Sequence, residues 1–435
     1  MGGMTGQDIA EYALDELRKA GADKAACNVA QGRKDEFNIE SSKFSLLRTL
    51  FDDSLHLKAI CGGKKGVAAV NKLDKDSIDR AVADCITLAH SASPDDAEDI
   101  AEKIENKSFD QRIGGSDMDG FFSRTKEFLG LMGDEYPKIE ICNLIADFNA
   151  SRSIYLNSNG VEFHNEREFY HIETGFSARD GEKSSSLNEY DINFDSLADP
   201  FIDLAMLRAL LAESVNSIDT RMVDGKFVGK VIVTPACDDM IWDTLLDCFL
   251  TDRSLVQGTS RWKDALGSKV ADSSLTIRIS PLDPGIVAGE RFTADGYESH
   301  NSDLIRDGIL TSFALSLYGS RKTGKPRAKN TAFSNIEVAP GDIPLAEMIK
   351  SVDHGILLNR FSGADPGPSG DISGVAKNSF LIENGAVTDA LSETMVSFNI
   401  VDILANIPAI SAERCENGIT MLPWCCFDGV TISGK

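Results

Sequence analysis

Positive charge is what this chain has least of. Its 44 lysines and arginines face 68 aspartates and glutamates, a formal net charge of −24. Phosphate backbones are held by clustered Lys and Arg, so this balance argues against a nucleic-acid partner. The acidity itself reads as solubility. No apolar run reaches membrane-spanning length, and the first thirty residues, rich in Asp, Glu and Lys, hold no apolar signal core. A cytoplasmic protein with no membrane partner is expected. The nine cysteines are odd in number, scattered and without a Cys-x-x-Cys pair. They fit buried thiols in a reducing compartment rather than a disulfide framework. Histidine is scarce as well. None of His56, His90, His164, His171, His300 and His354 is followed by glutamate, and no two are five apart. A His-Glu-x-x-x-His zinc helix is therefore excluded. A Gly-x-Ser-x-Gly elbow is also missing, and Gly367-Pro368-Ser369-Gly370 reads as a turn.

What is present is the make-up of a soluble globular protein, 42% hydrophobic and 26% charged over 435 residues. That length implies two or three domains. Thr5 to Ala20 reads as an opening helix, with Thr5 and Asp8 as a capping box and Ile9, Tyr12, Ala13 and Leu17 as its apolar stripe. Strands are predicted at Ala25–Ala30, Leu46–Phe51, Leu55–Ile60 and Val67–Val70, with Gly62 to Gly66 as a turn. That turn lacks the Gly-Lys-Ser/Thr ending of a phosphate loop. Asp76 to Leu88 is a second amphipathic helix. Ser93 to Asp110 reads as a solvated connection. Met118, Phe121, Phe122, Thr125, Phe128, Leu129 and Met132 recur at helical spacing and read as core.

Ile139–Ile145 and Ser153–Leu156 are strand-like, turn at Asn157-Ser158-Asn159-Gly160, and continue as strand from Val161 to Ala178. His164 and His171, seven apart, fall on opposite faces of that strand, which separates them as ligands. A long helix is predicted from Pro200 to Val215. Strand Lys230–Val233, Pro235 and a helix from Cys237 to Leu250 then follow. Hairpins turn at Arg306-Asp307-Gly308, into Ile309–Leu317, and at Glu383-Asn384-Gly385, into Ala386–Leu391. Helices are expected at Leu345–Val352 and Asn399–Asn406. The basic run from Arg321 to Lys329 reads as a mobile loop able to meet an acidic partner or a peptide carboxylate. Cys425-Cys426, beside Trp424 and Phe427, reads as packed strand. The pattern as a whole predicts an α+β fold: two closely packed halves, residues 1–221 and 222–435, rich in antiparallel sheet with Asn/Asp-Gly hairpins. The division falls near Ser217–Lys226.

Leu55 to Ala92, and the chain from Leu266 onward, resemble the TldD/PmbA family, whose members are often called modulators of DNA gyrase. Arg291 to Gly296 with Leu304 to Leu310 is similar to that family's Arg-Pro-Phe-Asp-Asp-Glu-Gly segment and hairpin. Gly363 to Gly374 with Phe380 to Gly385 is similar to its Gly-Asp-Phe-Ser loop and next hairpin, and Thr431 to Gly434 to its closing strand. Each piece is weak, and their order and spacing make the resemblance specific.

The resemblance implies a zinc helix after the first strand of the second half, with a distant cysteine as a further ligand. Here that helix carries Asp243, Thr244 and Cys248 in the corresponding register, and no histidine. Cys415, eight residues before Pro423, matches the family's cysteine. Asp243, Cys248 and Cys415 form at most an altered metal site, and a buried thiol is the plainer reading of Cys415. Thr244 offers no carboxylate base. The resemblance is therefore to the PmbA/TldE-like members that lack the zinc motif. It implies no catalytic residue and no metal in this chain, and zinc only in a TldD-type catalytic subunit as partner. It further implies unfolded peptide as substrate and a homodimer when alone. A stand-alone homodimeric peptide-binding protein, and a metallopeptidase with an altered zinc site, are the alternatives.

Overall fold

The computed structural model of the chain describes residues 4–237, 239–330, 333–363 and 366–434. Asp238, inside the helix expected from Cys237, and Ala364 and Asp365, inside the loop from Gly363 to Gly374, lie outside the described residues. The first half is a sheet with helices. Helix α1 (Gly6–Lys19) starts as the sequence predicts, with Thr5 and Asp8 in a reciprocal capping box. Strands β1 (Lys24–Glu40), β2 (Lys43–Cys61) and β3 (Lys64–Val70) form a meander. The segments expected as two strands, Leu46–Phe51 and Leu55–Ile60, are one. Asp52, Asp53 and Ser54 stay in register opposite Gly32, Gln31 and Ala30, because a solvent-facing strand accommodates polar side chains without breaking its ladder.

Helix α2 (Lys75–Ser91) joins α1 over one face of this meander. Ile9, Ala13 and Leu17 meet Ile78, Val82 and Cys85 on top of Cys27, Val29, Leu55 and Leu57. The stretch expected as a solvated connection is tied down instead. Ile100 and Ala101 are buried, and Glu98 is buried between Lys58 and Lys65. The stretch ends in strand β4 (Lys107–Gln111). Its charges pair, so its polarity did not mean exposure.

Helix α3 (Met118–Glu135) packs Phe121, Phe128 and Met132 on strands β5 (Ile139–Asn157) and β6 (Glu162–Asp180), as its stripe predicts. Phe122, expected in the core with them, is exposed, because it follows Phe121 directly and so turns off the buried face. The strand order is β3-β2-β1-β5-β6-β4, and strands β7 (Lys183–Ser184) and β8 (Asn188–Phe194) pair with β6 off that path. The helix expected from Pro200 to Val215 is broken. A 3-10 turn at Phe201–Asp203 and helix α4 (Leu207–Asn216) are separated by Ala205 in a left-handed conformation, φ 49°.

Among the described residues, the second half is a 14-stranded sheet of mostly short strands. Strands β9 (Thr220–Met222) and β10 (Lys226–Val233) lead to helices α5 (Asp239–Leu245) and α6 (Asp252–Val256). Then come β11 (Ile277–Ile279), β12 (Ser302–Arg306), β13 (Ile309–Leu310), α7 (Leu317–Thr323), β14 (Ile336–Val338) and α8 (Leu345–Lys350). Strands β15 (His354–Leu358), β16 (Arg360–Gly363), β17 (Asp371–Lys377), β18 (Phe380–Glu383), β19 (Ala386–Ser392) and β20 (Thr394–Asn399) follow. Helix α9 (Ile400–Leu404), β21 (Ala409–Glu416) and β22 (Met421–Ser433) close the chain. Both predicted hairpins form, with Asp307-Gly308 and Asn384-Gly385 at positive φ. The strand expected to reach Leu317 stops at Leu310.

The basic run is no free loop. It spans the end of α7, and Arg321 and Lys322 pair with Asp99 and Asp95 of the first half at 2.7 and 2.8 Å. Arg327 pairs with Asp295 and lies 3.8 Å over the Tyr297 ring. The acidic groups it meets belong to its own chain. A buried amide network also crosses the seam. Asn378 donates to Asn188 Oδ1 and Ser186 O, Asn188 donates to Ser214, and Asn359 donates to Asn378 O. The Asn193 N–H donates to Asn417 O.

Candidate functional site

β10 lies inside the second sheet, between β22 and β15, and Pro235 turns the chain out of it. The helix expected from Cys237 begins as a 3-10 turn, Pro235–Cys237, runs through α5, and closes in a π turn, Leu246–Leu250. Ile241, Trp242, Leu245, Leu246, Phe249 and Leu250 anchor it in the core. The opposite face carries Asp243, Thr244, Asp247 and Cys248, related by helical spacing, into a cavity of about 590 Å³. Across that cavity stand Phe361, Gly363, Pro366, Pro368 and Ile372. The segment resembling the family's zinc helix thus faces the segment resembling its Gly-Asp-Phe-Ser loop.

Asp243 and Phe361 also line a second cavity, of about 640 Å³, between the two halves. The two cavities adjoin at these two side chains, and the second is a cleft between the halves. Its first-half wall is Asn188 to Asp191 on β8, and its second-half wall includes Trp242, Phe333, Asn359 and Arg360. Arg360 pairs with Glu189 at 2.8 Å and donates to Leu187 O, which fixes one wall to the other. The cleft offers aromatic faces, carboxylates and two arginines, Arg360 and Arg253.

The three positions singled out in the sequence part company here. Asp243 and Cys248 share the helix face. Cys415, on β21, is buried in the first half's core, its Sγ 3.3 Å from the Tyr190 hydroxyl. Tyr190 lines the cleft and Cys415 does not. Cys248 makes a weak contact to Gly367 O at 3.5 Å, and burial, with Asp247 adding, pushes its thiol up. Among the described residues, no three His, Cys, Asp or Glu side chains are placed to hold a metal ion.

The histidines stand elsewhere. His164 contacts Glu162 at 2.8 Å, and His171 lies 3.1 Å from Asp147 and 3.7 Å from Asp191, so the two are separated, as their spacing predicts. Sequence reasoning missed Tyr190, Arg360, Phe361 and Glu213. Glu213, on α4, sits beside Asn359. Burial raises its carboxyl to about 7 against the opposing hydrogen bond from Asn359. Its Oε2 and the Asn359 Oδ1 are both buried without a hydrogen-bond partner. No local signal marks such residues, since they meet only when the halves close.

Residues 226–434 match the family model described as PmbA/TldA metallopeptidase C-terminal domain. The metalloprotease PmbA of Escherichia coli O157:H7 is 29% identical over 167 residues, 37% of each chain. A metalloprotease of Methanocaldococcus jannaschii is 21% identical over 429 residues, 92% of each. TldE from Thermococcus kodakarensis shares the fold at a TM-score of 0.82 and 18% identity, over 98% of this chain and 100% of that one. With its domain model, its relatives and its fold in agreement, the chain belongs to the TldD/PmbA family of metallopeptidase-related proteins.

Proposed function

We propose that this chain is a PmbA/TldE-like, non-catalytic subunit of a TldD-type metallopeptidase, and that its cleft holds unfolded peptide while the partner supplies the zinc. The observation that carries this reading is the face of α5 and the π turn after it. It is aimed into an open cleft, as a catalytic helix is, yet it bears Asp243, Thr244 and Cys248. These donors fit zinc poorly. A thiol raised by burial resists losing its proton to a metal, and Cys415 lies behind Tyr190 in another core.

What remains suits an extended peptide. Phe361, Trp242 and Phe333 offer apolar contact, Arg253 meets carboxylates, and Asp247 meets basic side chains. The formal charge of −24 argues against a nucleic acid in this role. A cytoplasmic setting agrees with cysteines that, among the described residues, form no disulfide. The test is a titration of a TldD-type subunit with an intact His-Glu-x-x-x-His motif. Peptide hydrolysis is expected to rise with this chain and saturate near equal amounts, with none from this chain alone. Hydrolysis by this chain alone, or a partner indifferent to it, overturns the proposal.

A further inference from the structure

A third cavity, of about 500 Å³, lies on the face of the first sheet turned away from α1 and α2, and it shares no lining residue with the candidate site. Its floor is two rungs of the ladder. Tyr155, Asn28, His56 and Ala69 stand opposite one another on β5, β1, β2 and β3, and Ala26, Lys58 and Val67 form the next rung. Cys27 and Leu57, between the rungs, turn the other way, into the core beneath the two helices. One wall is Asp99 and Ile100, from the stretch tied down before β4, and the other is Ala294, Asp295 and Ser316 of the second half. Gly296 closes against Tyr155, where a Cβ would fall 2.5 Å from the hydroxyl. Val67 and Ala69, on the edge strand, are exposed and mark the mouth.

The charges of Lys58, Asp99 and Asp295 in this lining are already spent. Lys58 pairs with Glu98 at 3.1 Å and donates to Asp99 O, Asp99 pairs with Lys24 and Arg321, and Asp295 pairs with Arg327. The Ser316 hydroxyl donates to Asp252. A charged ligand would give up water for paired charges and apolar walls, which is costly. One polar atom stands apart. Asn28 Oδ1 is buried and, among the described residues, has no hydrogen-bond partner. An aliphatic side chain here would leave no such orphan, so the acceptor points to a donor that arrives from outside. On the neighbouring strand Tyr155 lays an aromatic ring beside it, and Ala26, Val67, Ile100 and Ala294 supply apolar surface. The volume is that of a small-molecule site. We propose that this cavity binds a small, uncharged aromatic molecule whose N–H or O–H donates to Asn28 Oδ1. The site is separate from the cleft and does not rest on the subunit role.

The probe is N-phenylnaphthylamine, an uncharged diarylamine with a single N–H, whose fluorescence rises in apolar surroundings. Titrated into the full chain, it is expected to bind saturably, one molecule per chain. Two relatives of the probe dissect the site. Its N-methyl derivative lacks the donor, and anilinonaphthalene sulfonate adds an anion to the same skeleton. Each is expected to bind roughly tenfold more weakly or worse. Asn28→Leu is expected to bring the probe and its N-methyl derivative to the same affinity. Ala69→Trp, at the exposed mouth, is expected to abolish binding of all three, with circular dichroism checking each fold. Absence of saturable binding overturns the proposal, as does a sulfonate that binds as well as the neutral probe. A preference for the N–H form that survives Asn28→Leu also overturns it. Binding untouched by Ala69→Trp puts the probe on another apolar surface, such as the exposed Leu47 and Phe51 of β2, and removes the site. Where Asn28→Leu fails to fold, the contrast between the probe and its N-methyl derivative, together with Ala69→Trp, decides between these results.

Discussion

The first sheet is built mainly of long strands, most of them paired with a sequence neighbour, and the second mainly of short strands, several of them paired with distant ones. β1, β2, β5 and β6 run 17 to 19 residues each, and β1–β2, β2–β3 and β5–β6 are hairpins. In the second sheet β13 has two residues and β11 three, and β10 takes partners more than a hundred residues away, in β22 and β15. A local sheet can be read from turns and alternation. A non-local one is held together by its core and by whatever lies against it, here the other half. The seam between the halves therefore matters more to the second sheet than to the first.

The largest effect is expected at Gly418, which sits at φ 77° with its missing Cβ aimed 1.9 Å from the Asn193 carbonyl oxygen of the first half. Gly418→Ala must push the halves apart or distort β21–β22, at about 3 kcal/mol. Chemical denaturation is expected to show the second half melting first. A single unshifted transition means that the second sheet stands without the seam.

The first half should carry its own pH dependence. Burial pulls the His171 imidazole down, but Asp147 and Asp191 outweigh it and hold it at about 9, above the ordinary 6.5. The folded state keeps its proton longer, so the stabilisation is whole below pH 6.5 and is lost as pH rises through 9. The loss amounts to about 2 kcal/mol, and His171→Gln is expected to flatten it in unfolding curves measured from pH 6 to about 10. A slope unchanged in the variant places the titration elsewhere.

Glu213, at the seam, tests the contact from the other side. Its carboxyl is raised by burial to about 7 from an ordinary 4.5. The destabilisation is absent below pH 4.5 and complete above 7. Glu213→Gln is expected to raise stability by roughly 1–2 kcal/mol at pH 8 and leave it unchanged near pH 4.5. An equal effect at both pH values removes the titration. The smallest change is Cys415→Ser, a second-half residue packed in the first half's core, expected to cost about 1 kcal/mol. It should leave a partner's peptide hydrolysis as it was. Loss of that activity with stability intact gives Cys415 a role beyond packing.

Much of the first half was legible. The capping box, the α2 and α3 stripes and the Asn-Gly turn each depend on residues within a few positions of one another. The errors fell where contacts are long-range. Asp52-Asp53-Ser54 read as a break because its partners on β1 are invisible locally, and 93 to 110 read as solvated because its lysines lie elsewhere in the chain. In the second half the hairpins were legible and the crossovers were not. For the candidate site, the sequence placed Asp243, Thr244 and Cys248 on one helix, and did not separate Cys415 from them.

By itself, then, the sequence determined the α+β class, the hairpin turns, the helices with strong stripes, and the lack of a His-Glu-x-x-x-His motif, since each is a matter of residue type at short spacing. Only the tertiary structure decided that the basic run from Arg321 to Lys329 closes on the chain's own Asp95, Asp99 and Asp295. It alone set Tyr190, Arg360 and Phe361 around one cleft, and left β2 bare from Lys43 to Ser54. The physical reason is the same in each case: burial and pairing depend on which surface arrives opposite a residue, and that is fixed by contacts across a hundred residues or more, not by its neighbours in the chain.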